Sequence, residues 1–99
     1  MMKSNYKIIF SASALQDINE AKQWYNTQQK GLGNRLVQDV KIVIEAIKRN
    51  PEFASIKFES IRTASCKIFP YSVHYELDEN NQLIRVISIF HFSRKPYWL

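Results

Sequence analysis

The sequence predicts an α+β domain of order β-α-α-β-β-β, with a helical hairpin packed on one face of an antiparallel sheet. Three features carry this expectation. Two stretches with apolar residues every three to four positions adjoin across a pair of glycines. Stretches rich in β-branched and aromatic residues follow, separated by turn residues. The length of 99 residues leaves room for one core, hence for a single domain spanning residues 1–99.

Tyr6 to Phe10 reads as a short strand, its bulk supplied by Ile8, Ile9 and Phe10. Ser13 is the expected N-cap of the first helix, with Gln16 completing a capping box and Asp17 adding negative charge to the first turn. Ala14, Ile18, Ala21 and Tyr25 share one face of that helix, with Leu15 and Trp24 at its edges. Gly31 and Gly33 close it and turn the chain. The second helix begins at about Leu32 or Asn34 and runs to Arg49, with Leu36, Val40, Val43, Ile44 and Ile47 as an apolar stripe. Lys48 and Arg49 suit the negative end of its dipole, and Asn50-Pro51 stops it. So short a connection makes the pair an antiparallel hairpin.

Residues 51–60 read as loop. The next strand is expected over Ile61–Phe69, with Arg62 and Lys67 on it, and Pro70 breaks it. Over Tyr71–Leu77 the residues alternate, Tyr71, Val73, Tyr75 and Leu77 on one face and Ser72, His74 and Glu76 on the other. Asp78-Glu79-Asn80-Asn81 is a hairpin turn. Leu83–Phe92 is apolar on both faces, as befits a central, covered strand. The sheet face away from the helices is where Arg, Lys and His side chains are free to gather.

Fourteen Lys and Arg against nine Asp and Glu leave a net charge of +5. Such an excess attracts polyanions such as nucleic acid, an acidic protein segment or an anionic membrane, or simply serves solubility. Cys66 is the sole cysteine, so no internal disulfide forms; a reducing compartment and a buried structural thiol are expected. No apolar run approaches the ~18 residues of a membrane span, and Met1 to Asn5 lacks the apolar stretch of a secretion signal, so a cytoplasmic location without membrane contact is expected. Two histidines and one cysteine far apart give no metal set, and glycines confined to the helix turn give no phosphate loop, so neither metal nor cofactor is expected.

Certain signposts stand at fixed places: Phe69-Pro70-Tyr71 with Tyr75 four residues on, Arg62 seven residues before Phe69, and the ending His91-Phe92-Ser93-Arg94-Lys95-Pro96-Tyr97-Trp98. On these, and over nearly its whole length, the chain resembles the RelE/ParE toxins of type II toxin–antitoxin systems. The ending is most similar to ParE-like members, departing from the commoner family pattern at Lys95, where aspartate is usual, and at Phe92, where glycine is usual. The resemblance implies a cytoplasmic toxin of the plasmid-stabilization kind, held silent in a hetero-oligomer with a cognate antitoxin. ParE-like members inhibit DNA gyrase. The alternatives are a RelE-like endonuclease acting on mRNA in the ribosome, or a degenerate, non-toxic relative serving only as a binding module.

Cleaving RNA without metal requires a base for the 2′-hydroxyl, an acid for the leaving oxygen and cations on the phosphate. His91, Arg94, Arg62, Lys67 and Tyr75 are the candidates, with His74 and Tyr97 behind them. Each has a plainer reading. His91 suits a strand-end residue bonded to backbone, Tyr71 and Tyr75 suit the core, and Arg94 and Trp98 suit a clamp on the tail. For target contact the candidates are Arg94, Lys95, Tyr97 and Trp98, which combine cations with rigid aromatic area. For the antitoxin they are Trp24, Arg35 and Arg62.

Overall fold

In the computed structural model, which describes residues 6–93, the chain runs β1 (Lys7–Phe10), α1 (Ala12–Gln28), α2 (Leu32–Arg49), β2 (Ile56–Phe58), β3 (Ile61–Ser65), β4 (Tyr71–Asp78) and β5 (Leu83–His91). The five strands form one sheet of order β1-β5-β4-β3-β2. The α+β class and the helical hairpin on one sheet face agree with the sequence expectation.

Four details differ, each for a local reason. The N-cap of α1 is Ser11, not Ser13: its Oγ accepts from Ala14 N at 2.9 Å while its own N–H donates to Val86 O at 2.9 Å. The helix therefore starts directly off the strand. The capping box at Ser13 does not form, and Gln16 instead donates to Glu20 at 2.8 Å. The segment read as loop contains the short strand β2, which pairs with β3 at Ile56↔Arg62. The strand expected to reach Phe69 ends at Ser65. Cys66 N–H closes onto Tyr71 O at 2.8 Å, and Ile68 and Phe69 direct their N–H groups to Asp39 at 3.0 and 2.8 Å. These three amides are thereby taken out of the ladder. Finally β1 joins the sheet parallel to β5, so the sheet is mixed, with antiparallel pairing from β5 through β2.

The last strand is interior, as its two-faced apolar character predicts, but β4 holds the middle position and β5 stands between β4 and β1. It ends at His91, one residue before the expected limit. A bulge explains part of its pattern. His74 pairs with Ser88 and Tyr75 with Val86, leaving Ile87 as an extra residue in β5. Ile84 and Val86 before the bulge and Ile89 after it consequently all belong to the core.

That core is the face covered by the helices. On α2 the whole expected stripe is buried: Leu36, Val40, Val43, Ile44 and Ile47. From α1 come Ala14 and Ala21, and from β4 come Tyr71, Val73 and Tyr75. Cys66 is buried too, and burial, with the Asp39 charge adding to it, pushes its thiol up to about 12. On the opposite sheet face Arg85 is neutralised by Asp78 at 3.0 Å and Glu76 at 4.0 Å. No helix among the described residues is long and apolar enough to cross a membrane.

The hairpin turns through Gly31, whose φ of 83° suits glycine. Two residues on, Gly33 N–H donates to Asn26 Oδ1 at 2.7 Å. A Cβ at Gly33 would land on the Lys22 carbonyl oxygen of α1. The helices approach this closely only because the side chain is absent. Gly33→Ala is expected to cost about 3 kcal/mol, at the upper end of overpacking effects, because the atom in the way is backbone. Urea denaturation checks this, and a loss below about 1 kcal/mol would mean that the hairpin opens without strain.

Candidate functional site

Two depressions adjoin α1. The first is a cleft of about 410 Å3 between α1 and the ends of β4 and β5, lined by Asp17, Glu20, Ala21, Trp24, Tyr25, Tyr71, Ile89, His91 and Ser93. On the helix its wall is built by a one-face spacing: Asp17, Glu20 and Trp24 stand at i, i+3 and i+7. Asp17 lies past the first turn and serves no helix end. Its Oδ2 accepts from Ile89 N–H at 3.0 Å, and Ser11 Oγ donates to Ile87 O at 2.7 Å. Beyond Val86, β1 no longer pairs with β5, and the side chains of the N-cap Ser11 and of Asp17 on α1 take up the strand edge there.

The aromatic residues of the cleft form a chain. Trp24 meets Tyr25 at 4.9 Å and 88°, Tyr25 meets Tyr71 at 6.3 Å and 65°, and Tyr71 meets His91 at 4.9 Å and 88°. His91 Nδ1 accepts from Ser93 N–H at 3.0 Å and lies 2.6 Å from Ser93 Oγ. This is the backbone-bonded strand end that the sequence allowed. In the neutral ring the proton then sits on Nε2.

The second depression is an apolar groove of about 350 Å3 on the helical hairpin, lined by Phe10, Leu15, Ile18, Val37, Val40 and Ile44, with Lys41 and Glu45 also in its lining. Leu15 and, elsewhere on α2, Ile42 are each more than half exposed.

The structure places the candidate ribonuclease residues at separate stations. Tyr75 is fully buried, and its hydroxyl donates to Pro51 O at 2.8 Å. Burial pushes its phenol up, against the opposing pull of the Arg62 charge. Arg62, paired across from Tyr75, donates from Nη1 to Ala54 O at 2.7 Å and Glu52 O at 3.1 Å, tying down the α2–β2 connection. Tyr75 pairs with Val86, so His91 lies five residues farther along β5, about 16 Å away. Lys67 is exposed in the β3–β4 connection. His74 is buried on the face away from the helices, 5.2 Å from the Phe90 ring, and burial pushes its imidazole pKa down. Of the antitoxin candidates, Trp24 and Arg35 are exposed on α1 and α2, while Arg62 is half-buried at its two carbonyls. Arg94, Lys95, Tyr97 and Trp98 lie outside the described residues. Among the described residues no group of three or more His, Cys, Asp or Glu is placed to hold a metal ion.

Sequence reasoning did not assign Asp17, Glu20 or Asp39 to any site. Asp17 and Glu20 were legible only as helical neighbours of Trp24. Asp39 interrupts an otherwise apolar stripe, and a charge so placed signals a buried acceptor.

A family model for the ParE toxin of the type II toxin–antitoxin system parDE matches residues 8–96. Among solved structures, a chain of the chromosomal ParDE system from P. aeruginosa superimposes with a TM-score of 0.76 at 13% identity, covering 87% of this chain and 95% of that one. The RelBE2 toxin–antitoxin complex from Mycobacterium tuberculosis gives 0.61 at 13% identity, covering 87% and 96%. The isolated E. coli RelE toxin gives 0.57 at 15% identity, covering 94% and 90%. At such identities the structural likeness is one of fold. No curated protein matches the chain by sequence.

Arg62→Ala is expected to lower stability by about 2 kcal/mol, since two carbonyls lose a charged donor; chemical denaturation reads this directly, and an unchanged midpoint would free Arg62 for a role at the surface. His74 carries a pH signature. Its folded pKa lies below the ordinary 6.5, so the unfolded chain binds the proton more readily. That contribution is intact above the unfolded pKa and is lost as pH falls below it. Thermal melts between about pH 7 and 5 should show the decline, and His74→Gln should flatten it.

Proposed function

The chain belongs to the ParE toxin family of type II toxin–antitoxin systems, and from that premise we propose that it acts in the cytoplasm by inhibiting DNA gyrase, as a plasmid-stabilization toxin neutralised by a cognate antitoxin. The observation that carries gyrase over mRNA is the employment of Arg62 and Tyr75. Both are committed to carbonyls of the α2–β2 connection, and a phenol sealed beneath Pro51 is poorly placed to shuttle a proton to a substrate. After Ser93 the sequence carries Arg94, Lys95, Tyr97 and Trp98. These cations and aromatics suit protein contact more than hydrolysis.

The antitoxin reading has its own support. A net charge of +5 draws an acidic segment, and the groove bounded by Leu15, Ile18, Val37 and Ile44 suits the apolar face of a partner helix. The complexes from P. aeruginosa and M. tuberculosis are toxin–antitoxin systems by description. Trp24 and Arg35 stand on the same hairpin.

Inducing the chain in a bacterial host should arrest growth with filamentation and a DNA-damage response while bulk mRNA stays intact. Rapid mRNA cutting without DNA damage would transfer the function to the RelE-like reading, and unimpaired growth would leave the binding-module reading. Arg94→Ala should abolish arrest while the protein stays folded and still captures its antitoxin. Full toxicity of that variant would move the target contact away from the tail.

A further inference from the structure

We propose that the cleft between α1 and the ends of β4 and β5 is an anchor for one arginine side chain of a partner protein. The inference does not depend on gyrase being the target. It begins with a local reversal of charge. The chain carries fourteen Lys and Arg and a net +5. Yet the described residues lining this cleft include two carboxylates, Asp17 and Glu20, and neither lysine nor arginine, with His91 the one basic side chain among them. Both carboxylates are held in place. Asp17 keeps one oxygen on Ile89 N–H at 3.0 Å, and Glu20 receives the Gln16 amide at 2.8 Å.

The other walls decide which cation fits. Trp24, Tyr25 and Tyr71 stand with successive planes turned by 88° and 65°. They are walls around a space, not a closed stack. Trp24 is 57% exposed at the rim and Tyr71 is 7% exposed, so the cleft runs from open water to a buried aromatic floor. A small hard metal ion would seek oxygen ligands on several sides, which aromatic walls do not offer. A guanidinium is planar and weakly hydrated, stacks on ring faces and gives several N–H donors to carboxylates. A cleft of about 410 Å3 admits such a side chain with part of the backbone that carries it.

The test titrates the full chain with the peptide acetyl-Gly-Arg-Gly-amide and with its citrulline counterpart, which keeps the shape and loses the charge. NMR follows the Trp24 indole N–H and the Ile89 amide. The arginine peptide should shift both saturably and the citrulline peptide should not. Glu20→Gln and Trp24→Leu, both at exposed positions, should each weaken binding roughly three- to tenfold, as expected for an exposed charge pair and for a cation–π contact. Equal shifts with citrulline, or none with arginine, would overturn the assignment. Tighter binding of spermidine than of the arginine peptide would also overturn it, giving the cleft to a free polyamine. So would a tenfold gain in peptide affinity on Arg94→Ala, which would make the chain's own tail the occupant.

Discussion

The site depends on one buried carboxylate. Asp39 sits on α2 with 3% of its surface exposed and accepts the backbone N–H groups of Ile68 and Phe69 at 3.0 and 2.8 Å. Two amides in a buried corner need a partner, and a carboxylate in a core needs donors. Each solves the other's problem. The corner they fix sets Phe69 edge-on to Tyr25 at 5.1 Å and starts β4 at Tyr71. From Tyr71 the aromatic chain continues to His91. The floor of the cleft thus traces back to a helix side chain holding a turn about thirty residues away.

Residues with chemically useful side chains are largely spent on the fold. Tyr75 braces Pro51, Arg62 fastens the preceding loop, and Asp17 serves the unpaired edge of β5. In a chain of this size the core alone gives a narrow margin, and polar anchors of buried backbone are part of what makes the structure unique. Among the described residues, the apolar groove of the hairpin and the acidic aromatic cleft on α1 are open to partners. Charge differs between them. The whole molecule is basic, but the cleft is locally acidic, so a partner that matches both carries mostly acidic residues and one cation for the cleft.

Much of this was legible in the chain. The α2 stripe of Leu36, Val40, Val43, Ile44 and Ile47, the alternation along Tyr71–Leu77 and the glycine turn each encode which side of an element is buried. Periodicity expresses that locally, so the helical hairpin and the α+β class followed from the sequence alone. Trp24 was likewise legible as an exposed edge of α1. Other features were not local. Nothing in Lys7–Phe10 says that it pairs parallel to a strand more than seventy residues on. The bulge at Ile87 depends on how β4 and β5 meet. Ser11 rather than Ser13 caps α1 because the sheet holds Ser11 N–H. Asp17, Glu20, Tyr25 and Tyr71 share one cleft only because α1 packs across β5 and brings its side chains to the ends of β4 and β5. Local spacing along the chain encodes which faces are apolar and where the chain turns. Which polar groups meet is set by the packing of the elements, because a hydrogen bond's partner is chosen by position in space and leaves no period in the chain.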